Sequence, residues 1–389
     1  MALTFALALL DNLQPAFAQT DTLIPVRGSR TAAALESISA DGHAVFATSE
    51  SSMTIPLADV VRWGTFVEPQ AGMQVLLAGG GLIAAAEAHT ENEQLHIESS
   101  LLGERVIPLE FVAGIIFRPP YDPQQRDRLV NRVRENSARN DQLLLENGDE
   151  LPGTVISIGD KDVDFETQGK RVTVERSRIA AVGFDPTIVA ATPIGGLHVL
   201  AGLRDGSRLL ISQLAGTAKQ MNFTMADRTV WTLSGDSLVA LQPLSGKAKF
   251  LSDLKAEGYK HLPFLSQSWP YHNDANVAGT QLRAGGHPYA KGIGMHSAAR
   301  LTYRLDGHYR AFAADVALDD QVKGSGAAIF AVYIDDKLAW KSKVVRGNMQ
   351  PIPVQINTAG AKRLSLLVEF AERGDELDRA NWLDARLVD

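Results

Sequence analysis

The stretch KGIGMHSAARLTYRLDG at residues 291–307 decides how the C-terminal part of this sequence folds. Its second half alternates apolar and polar residues from Leu301 to Leu305 and then reaches Asp306-Gly307, the pattern of a strand followed by a turn. The glycines of its first half suit a tight bend of the backbone. The stretch therefore predicts short β-strands joined by turns.

Similar patterns continue toward the C-terminus. Short apolar or alternating runs occur at residues 328–335 (AIFAVYID), 338–340, 343–345, 354–356 and 364–370 (LSLLVEF). Several short strands at regular spacing are typical of a β-sandwich. We predict such a sandwich for residues 246–389.

Residues 246–389 also resemble the NPCBM family of carbohydrate-binding modules. The signature and six flanking pieces occur in the family's order: 250–254 (FLSDL), 269–271 (WPY), 291–297 (KGIGMHS, the signature), 301–307 (LTYRLDG), 316–320 (VALDD), 332–337 (VYIDDK) and 378–387 (DRANWLDARL). Ala317 and Asp336 stand in place of two glycines that are usual in the family. The resemblance implies a galactose-binding-like jelly-roll sandwich that attaches to glycans. Such modules are commonly appended to secreted glycoside hydrolases, but residues 22–245 do not look like a glycosidase barrel.

The N-terminal part carries a weak repeat of about 45 residues, a period typical of an array of small units. Its four copies lie at residues 23–66, 72–117, 143–184 and 199–241. Each contains strand-like alternation and glycine turns that suit hairpins. We predict tandem small β-barrels that loosely resemble Sm-like or SH3-like units, paired as residues 19–118 and 141–245.

Residues 119–140 break this rhythm. The segment is polar, Asp122 can cap a helix, and Pro123 suits a first helical turn. We predict a helical linker whose charged face is solvated, because its apolar stripe is too narrow for a membrane or a coiled coil.

Composition and charge exclude several functions. The 389 residues carry a net charge of −7, which argues against nucleic acid as a partner, and contain no cysteine, which excludes disulfides and thiolate sites. Residues 1–18 resemble a signal peptide that ends in Ala-Phe-Ala, so we predict a secreted, periplasmic or cell-envelope protein. A buried N-terminal helix is the alternative. No stretch is long and apolar enough to predict a membrane span.

Sugar binding needs an aromatic ring for the apolar face of a pyranose and polar groups for its hydroxyls. The candidate ligand-binding residues are Trp269, Tyr289, His296, Asp319, Asp320, Trp382 and Asp384. Core packing is the alternative for Trp382, and holding the glycine-rich turn is the alternative for His296. Asp319 and Asp320 are of the type that binds Ca²⁺, but six oxygen ligands are not visible, so loop capping is favoured. We predict no cofactor, no metal and no catalytic residue.

These patterns lead to three hypotheses. The first is a non-catalytic, secreted glycan-binding protein, an accessory to glycoside hydrolases, that binds polysaccharides through residues 246–389, with galactose-containing ones as candidates. The second is an envelope structural or protein-interaction module with a vestigial sugar site, which forms a homo-oligomer or binds an envelope protein through edge strands. The third is a hydrolase with a site between the domains, although no catalytic motif supports it.

Overall fold

The computed structural model describes residues 20–389, except residues 71, 138, 190–194, 265 and 373. The predicted signal peptide at residues 1–18 lies outside the described residues. The described part is mainly β, as predicted, with a single α-helix among its elements. Within this part, no helix has the length and apolar character needed to cross a membrane.

Four β-repeats occupy the N-terminal part of the chain. The first two comprise β1 (Thr20–Pro25), β2 (Thr31–Ile38), β3 (His43–Ala47), β4 (Ser52–Pro56), β5 (Val60–Gly64), β6 (Met73–Leu77), β7 (Leu82–Ala85), β8 (Glu87–Glu91), β9 (Gln94–Ser99), β10 (Gly103–Pro108) and β11 (Val112–Ile116). The last two comprise β12 (Asp141–Leu145), β13 (Glu150–Ile158), β14 (Asp162–Thr167), β15 (Lys170–Glu175), β16 (Ile179–Gly183), β17 (Val199–Leu203), β18 (Arg208–Thr217), β19 (Met221–Met225), β20 (Val230–Leu233) and β21 (Leu238–Pro243).

Each repeat closes in the same way, with a 3₁₀ turn followed by a mostly buried apolar strand. These turns lie at Leu57–Asp59, Leu109–Phe111, Arg176–Arg178 and Gly235–Ser237, and a further one lies at Ala78–Gly80. The strands after the four turns are buried at nearly every position, and each contributes apolar side chains to one hydrophobic cluster. The detailed likeness to Sm-like or SH3-like barrels stays a prediction.

The repeats pair differently from our prediction. We expected neighbours in sequence to pair, but backbone pairing joins the final strands of the first and fourth repeats, β5 with β21, and those of the second and third, β11 with β16. The physical reason is that each final strand has an open edge, which an equivalent strand can cover. Gly114 permits one such approach, because a Cβ atom there would lie 2.3 Å from the Val182 carbonyl oxygen.

Helix α1 (Pro123–Arg134) lies within the segment predicted to be a helical linker. Asp122 caps it by accepting a hydrogen bond from the Gln125 N–H at 2.9 Å. The helix packs Val133 into a small cluster with β11 and β16. We expected its charged face to be solvated, but Asp127 on that face is buried.

The C-terminal part forms the predicted β-sandwich. Its strands are β22 (Lys249–Phe250), β23 (Gly258–His261), β24 (His272–Asn273), β25 (Leu282–Ala284), β26 (His287–Tyr289), β27 (Gly292–His296), β28 (Ala299–Arg304), β29 (Ala311–Leu318), β30 (Ala327–Ile334), β31 (Lys337–Lys341), β32 (Val345–Arg346), β33 (Ile352–Asn357), β34 (Arg363–Phe370) and β35 (Arg379–Val388), with 3₁₀ turns at Leu251–Asp253 and Asp320–Val322. One sheet has the order β24-β27-β35-β29-β33, with β22 beside β35. The other has the order β23-β28-β34-β30-β31, with β32 beside β30.

The sandwich is joined to the repeats through a shared apolar cluster. Ile24 and Val61 of the first repeat pack with Phe250 and Val388 of the sandwich. The buried charges of Arg62 and Asp384 also pair across this contact.

Candidate functional site

Two of the predicted site residues lie together at one end of the sandwich. The indole of Trp269 stacks on the imidazole of His296, with ring centroids 5.0 Å apart and planes within 8° of parallel. His296 ends β27 and is buried, whereas Trp269 lies in the loop after β23 and is half-buried. We call Trp269, His296 and their neighbours Tyr259, His261 and Tyr271 the ring cluster.

Strand β23 holds the ring cluster in place from one side. Tyr259 and His261 lie two residues apart, so both side chains point to the same face of the strand. The Tyr259 hydroxyl donates to the Trp269 carbonyl oxygen at 2.8 Å, and the Trp269 N–H donates to Nδ1 of His261 at 3.3 Å. These two hydrogen bonds fix the loop backbone at Trp269, whose ring is half-exposed.

Hydrogen bonding assigns the tautomers of both histidines. Since Nδ1 of His261 accepts from Trp269, its Nε2–H donates to the Ser297 carbonyl oxygen, at 3.0 Å. Nδ1–H of His296 donates to the same carbonyl, at 2.8 Å. Burial lowers the pKa of His296, which favours the neutral ring. Nε2 of His296 then carries a lone pair, and it has no hydrogen-bond partner among the described residues.

Polar side chains adjoin the stacked rings. Arg379 lies directly opposite His296 in the antiparallel pair of β27 and β35, so the two side chains share one face. Nη1 of Arg379 donates to Oε1 of Gln321 at 2.9 Å, and Nε2 of Gln321 donates to the Thr280 hydroxyl at 2.6 Å. The half-buried Arg379 has further N–H groups to donate. Together, Trp269, His296 and Arg379 offer a ring, an acceptor and a cationic donor.

A buried carboxyl supports this end of the sandwich without facing solvent. Asp378 accepts from the Ser297 hydroxyl at 2.7 Å and from the Ala327 N–H at 2.9 Å. Burial raises its pKa to about 6. Because both oxygens are occupied and the residue is fully buried, Asp378 is not available as a catalytic acid.

Trp382 is not a ligand-binding residue. Its side chain is 0% exposed and packs against Phe312 and Phe330 in the core of the sandwich. A ring enclosed in this way cannot stack on a sugar. Phe312 lies on β29 in the same sheet as Trp382 and Phe330 lies on β30 in the other sheet, so the indole points between the two sheets.

Asp384 and Tyr289 belong to the contact between the repeats and the sandwich. Asp384 is 0% exposed and accepts from Nε of Arg62 at 3.0 Å and from Nε2 of Gln242 at 2.7 Å. The Arg62 guanidinium also lies 5.2 Å from the ring centroid of Tyr289, which is buried. Neither predicted ligand is therefore accessible to a sugar, because repeat residues cover both.

Asp319 and Asp320 act on loops, the alternative that we favoured from the sequence. Asp319 is fully buried and accepts from the Asn381 side chain at 2.8 Å and from the Gln321 N–H at 3.2 Å. Asp320 accepts from the N–H groups of Gly285 and Gly286, at 3.0 and 2.8 Å. Both carboxylates thus accept hydrogen bonds from protein donors. The prediction that Asp319 and Asp320 bind the ligand is therefore wrong.

No group of three or more metal-ligating side chains occurs within the part of the chain that the structure describes. Of the candidate site, only Trp269 and His296 were selected as ligand-binding residues from the sequence. His261 looked isolated because 35 residues separate it from His296, and Arg379 looked like one of many surface charges. The only sequence signal for this part of the site was the spacing of Tyr259 and His261, which lie two residues apart and so share one face of a strand.

Comparison with known proteins identifies the domain that carries the ring cluster. Residues 247–388 match the family model of the NPCBM/NEW2 domain. This part of the chain is an NPCBM/NEW2 domain. The resemblance inferred from the motifs is therefore confirmed, and we call residues 247–388 the NPCBM domain.

A curated relative of this chain is a much larger protein. A Renibacterium salmoninarum protein named as an endo-alpha-N-acetylgalactosaminidase is 29% identical over 110 residues, which are 28% of this chain and 7% of that protein. The chain thus spans a small part of the length of this curated relative.

Two solved structures from Clostridium perfringens are similar to this chain. One is CBM51 from GH95 in complex with methyl-galactose, 23% identical, covering 36% of this chain and 99% of its own, with a TM-score of 0.33. The other contains the CBM51-2 domain in complex with GlcNAc and the INT domains of ZmpB, 23% identical, covering 48% of this chain and 37% of its own, with a TM-score of 0.34.

Proposed function

We propose that the NPCBM domain binds glycans at the ring cluster, with the sugar ring against Trp269. The observation that carries this proposal is the half-exposed indole of Trp269, stacked on His296 beside the cationic Arg379. In this arrangement Nε2 of His296 accepts from one sugar hydroxyl and the guanidinium donates to another. The family match supports glycans as the ligand class.

The site is built for weak, reversible binding. One stacked ring and a few hydrogen bonds correspond to about 4–6 kcal/mol, or dissociation constants in the high-micromolar to millimolar range. Galactose-containing glycans are the first ligands to test, because an axial hydroxyl leaves one sugar face apolar enough to cover an indole.

An exposed apolar patch, formed by the loop that carries Trp269 and by the end of β34, extends the available surface. Phe264 and Phe370 are 58% and 42% exposed, and their ring centroids lie 6.0 Å apart. Phe264 precedes Trp269 in the same loop. A second sugar of a polysaccharide would contact this patch, which favours chains over single monosaccharides.

We further propose that the protein is secreted or located in the cell envelope and acts without catalysis. Glycoside hydrolysis requires two carboxyls about 5–10 Å apart around the sugar. The acidic residue with a raised pKa at this end, Asp378, is buried and fully hydrogen-bonded. The repeats then serve as a rigid stem that holds the NPCBM domain through the Arg62–Asp384 pair.

The test is calorimetric titration of the full chain with galactose, lactose and a panel of galactose-containing polysaccharides. We expect saturable binding that Trp269→Ala abolishes. The control is Trp340→Ala, which removes a half-buried tryptophan of the same domain on β31. Equal loss in both variants, or binding that survives Trp269→Ala, would contradict the proposed site. No binding by a folded chain would favour the protein-interaction hypothesis.

A further inference from the structure

A cationic cavity lies where the second repeat, helix α1, strand β18 and the NPCBM domain meet. It has a volume of about 80 Å³, several times the roughly 10–15 Å³ that one water molecule needs. The charged residues that line it are Glu68, Arg126, Asp127, Arg134, Arg208 and Arg283. Four guanidinium groups therefore surround two carboxylates, which leaves two positive charges uncompensated.

Two of the arginines use up the carboxylates. Nε of Arg283 donates to Oε1 of Glu68 at 2.5 Å, and its Nη2 donates to Oδ1 of Asp127 at 3.0 Å. Arg126 also pairs with Glu68. These ion pairs neutralise one side of the cavity and hold α1 against the NPCBM domain.

The other two arginines have neutral partners. Nη1 of Arg208 donates to Oε1 of Gln281 at 2.8 Å, and Nη2 of Arg134 donates to the carbonyl oxygens of Gly80 and Gly81 at 3.1 and 2.8 Å. Neither arginine forms an ion pair with a carboxylate among the described residues. Arg208 thus supplies an inner charge, and the more exposed Arg134 supplies a charge at the rim.

Arg208 also retains an unused donor inside the protein. Its Nε is buried and has no hydrogen-bond partner within the described part of the chain. The guanidinium lies 5.6 Å from the ring centroid of Phe66, which limits how far it can turn away. Burial, together with the neighbouring charges of Arg283 and Arg134, lowers its pKa to about 10. A buried cation with a free N–H is a costly arrangement unless an anion completes it.

We propose that this cavity binds a small tetrahedral oxyanion, sulfate or phosphate, through Arg208 and Arg134. The planar guanidinium presents paired N–H donors whose geometry matches such an anion. A free sulfate or phosphate dianion would balance both uncompensated charges, and a sulfate ester would balance one of them. The anion arrives either as the free ion or as an ester group on a sugar, and solvent reaches the cavity beside the exposed Gly80. This proposal does not depend on glycan binding at the ring cluster.

The test is calorimetric titration of the full chain with sodium sulfate and with sodium phosphate, against sodium chloride at equal ionic strength. We expect saturable binding of one sulfate or phosphate per chain and no saturable binding of chloride. Arg208→Met and Arg134→Gln should each weaken binding at least tenfold. A parallel titration with galactose 6-sulfate distinguishes an ester from the free ion.

Matched controls separate this site from general charge effects. Arg204→Met changes an exposed arginine four residues before Arg208, and Arg132→Gln changes an exposed arginine on α1. Both controls should bind sulfate like the wild type. Equal weakening in controls and site variants, or no saturable binding of either anion by the wild type, would overturn the proposal. Should Arg208→Met fail to fold, Arg134→Gln still decides the outcome.

Discussion

Replacing Asp384 by Asn should destabilise the whole molecule, because the carboxylate holds a buried arginine. Asp384 is 0% exposed and Arg62 is 7% exposed, with Nε and the carboxylate oxygen 3.0 Å apart. Burial alone would lower the pKa of Arg62, but the charge and hydrogen bond of Asp384, together with the charges of Tyr289 and Asp315, outweigh burial and raise that pKa above its ordinary value. Asn is the conservative choice, since Asp384 has a φ of 46° that Asn also tolerates.

The expected loss follows from leaving one buried charge without its partner. Breaking a buried ion pair costs about 3–5 kcal/mol, and we expect the lower end because Asn keeps a hydrogen-bond acceptor. The double variant Arg62→Met with Asp384→Asn removes both charges and should recover to within about 1–2 kcal/mol of the wild type. Affinity for glycans should not change, because Asp384 contacts Arg62 of the repeats and lies five positions along β35 from Arg379, which adjoins the ring cluster.

Urea unfolding, followed by circular dichroism, measures these free energies. Asp236→Asn serves as the control, since its pair with Arg204 is exposed and should be worth less than about 1 kcal/mol. The reasoning is refuted if Asp384→Asn costs no more than Asp236→Asn, or if the double variant is as unstable as the sum of the single ones.

Three further predictions concern the core, the repeats and pH. Trp382→Ala should cost about 3–5 kcal/mol in urea unfolding, far more than Trp340→Ala, and equal costs would contradict a core role. Gly114→Ala should cost about 1–3 kcal/mol, because its Cβ would lie 2.3 Å from the Val182 carbonyl oxygen; a neutral result would contradict the pairing of the repeats. Burial raises the pKa of Asp378 from 3.8 to about 6, so the native state binds more protons and stability should fall as pH rises through that interval. Asp378→Asn should flatten this part of the stability–pH curve, and an unchanged slope would refute the assignment.

The sandwich was predictable because its strand patterns are local. Alternation in the stretch from Leu301 to Leu305 is visible in five consecutive residues, and the family's motifs occur in order along the chain. The repeats were visible for the same reason, since each copy carries its own turns and final strand. Which repeats pair could not be predicted, because an open strand edge looks alike in every copy.

The candidate site was predictable only in part. Trp269 and His296 were selected for their chemistry, but their stacking depends on β23 and β27 lying at the same end of the sandwich. From the sequence, Asp384 is an equally good ligand candidate, because its partner Arg62 is 322 residues away in the chain. Burial across a domain contact leaves no local pattern, so polar residues of the interface resemble polar residues of a site.

Fluorine NMR of the full chain labelled with 5-fluorotryptophan tests glycan binding at Trp269 most directly. The sequence contains five tryptophans, so each gives a separate reporter, and Trp269→Phe identifies the relevant signal. Adding a methyl galactoside or a galactose-containing polysaccharide should shift the Trp269 signal saturably and leave that of the buried Trp382 in place. A Trp269 signal that stays unmoved while the chain binds the glycan would contradict the account.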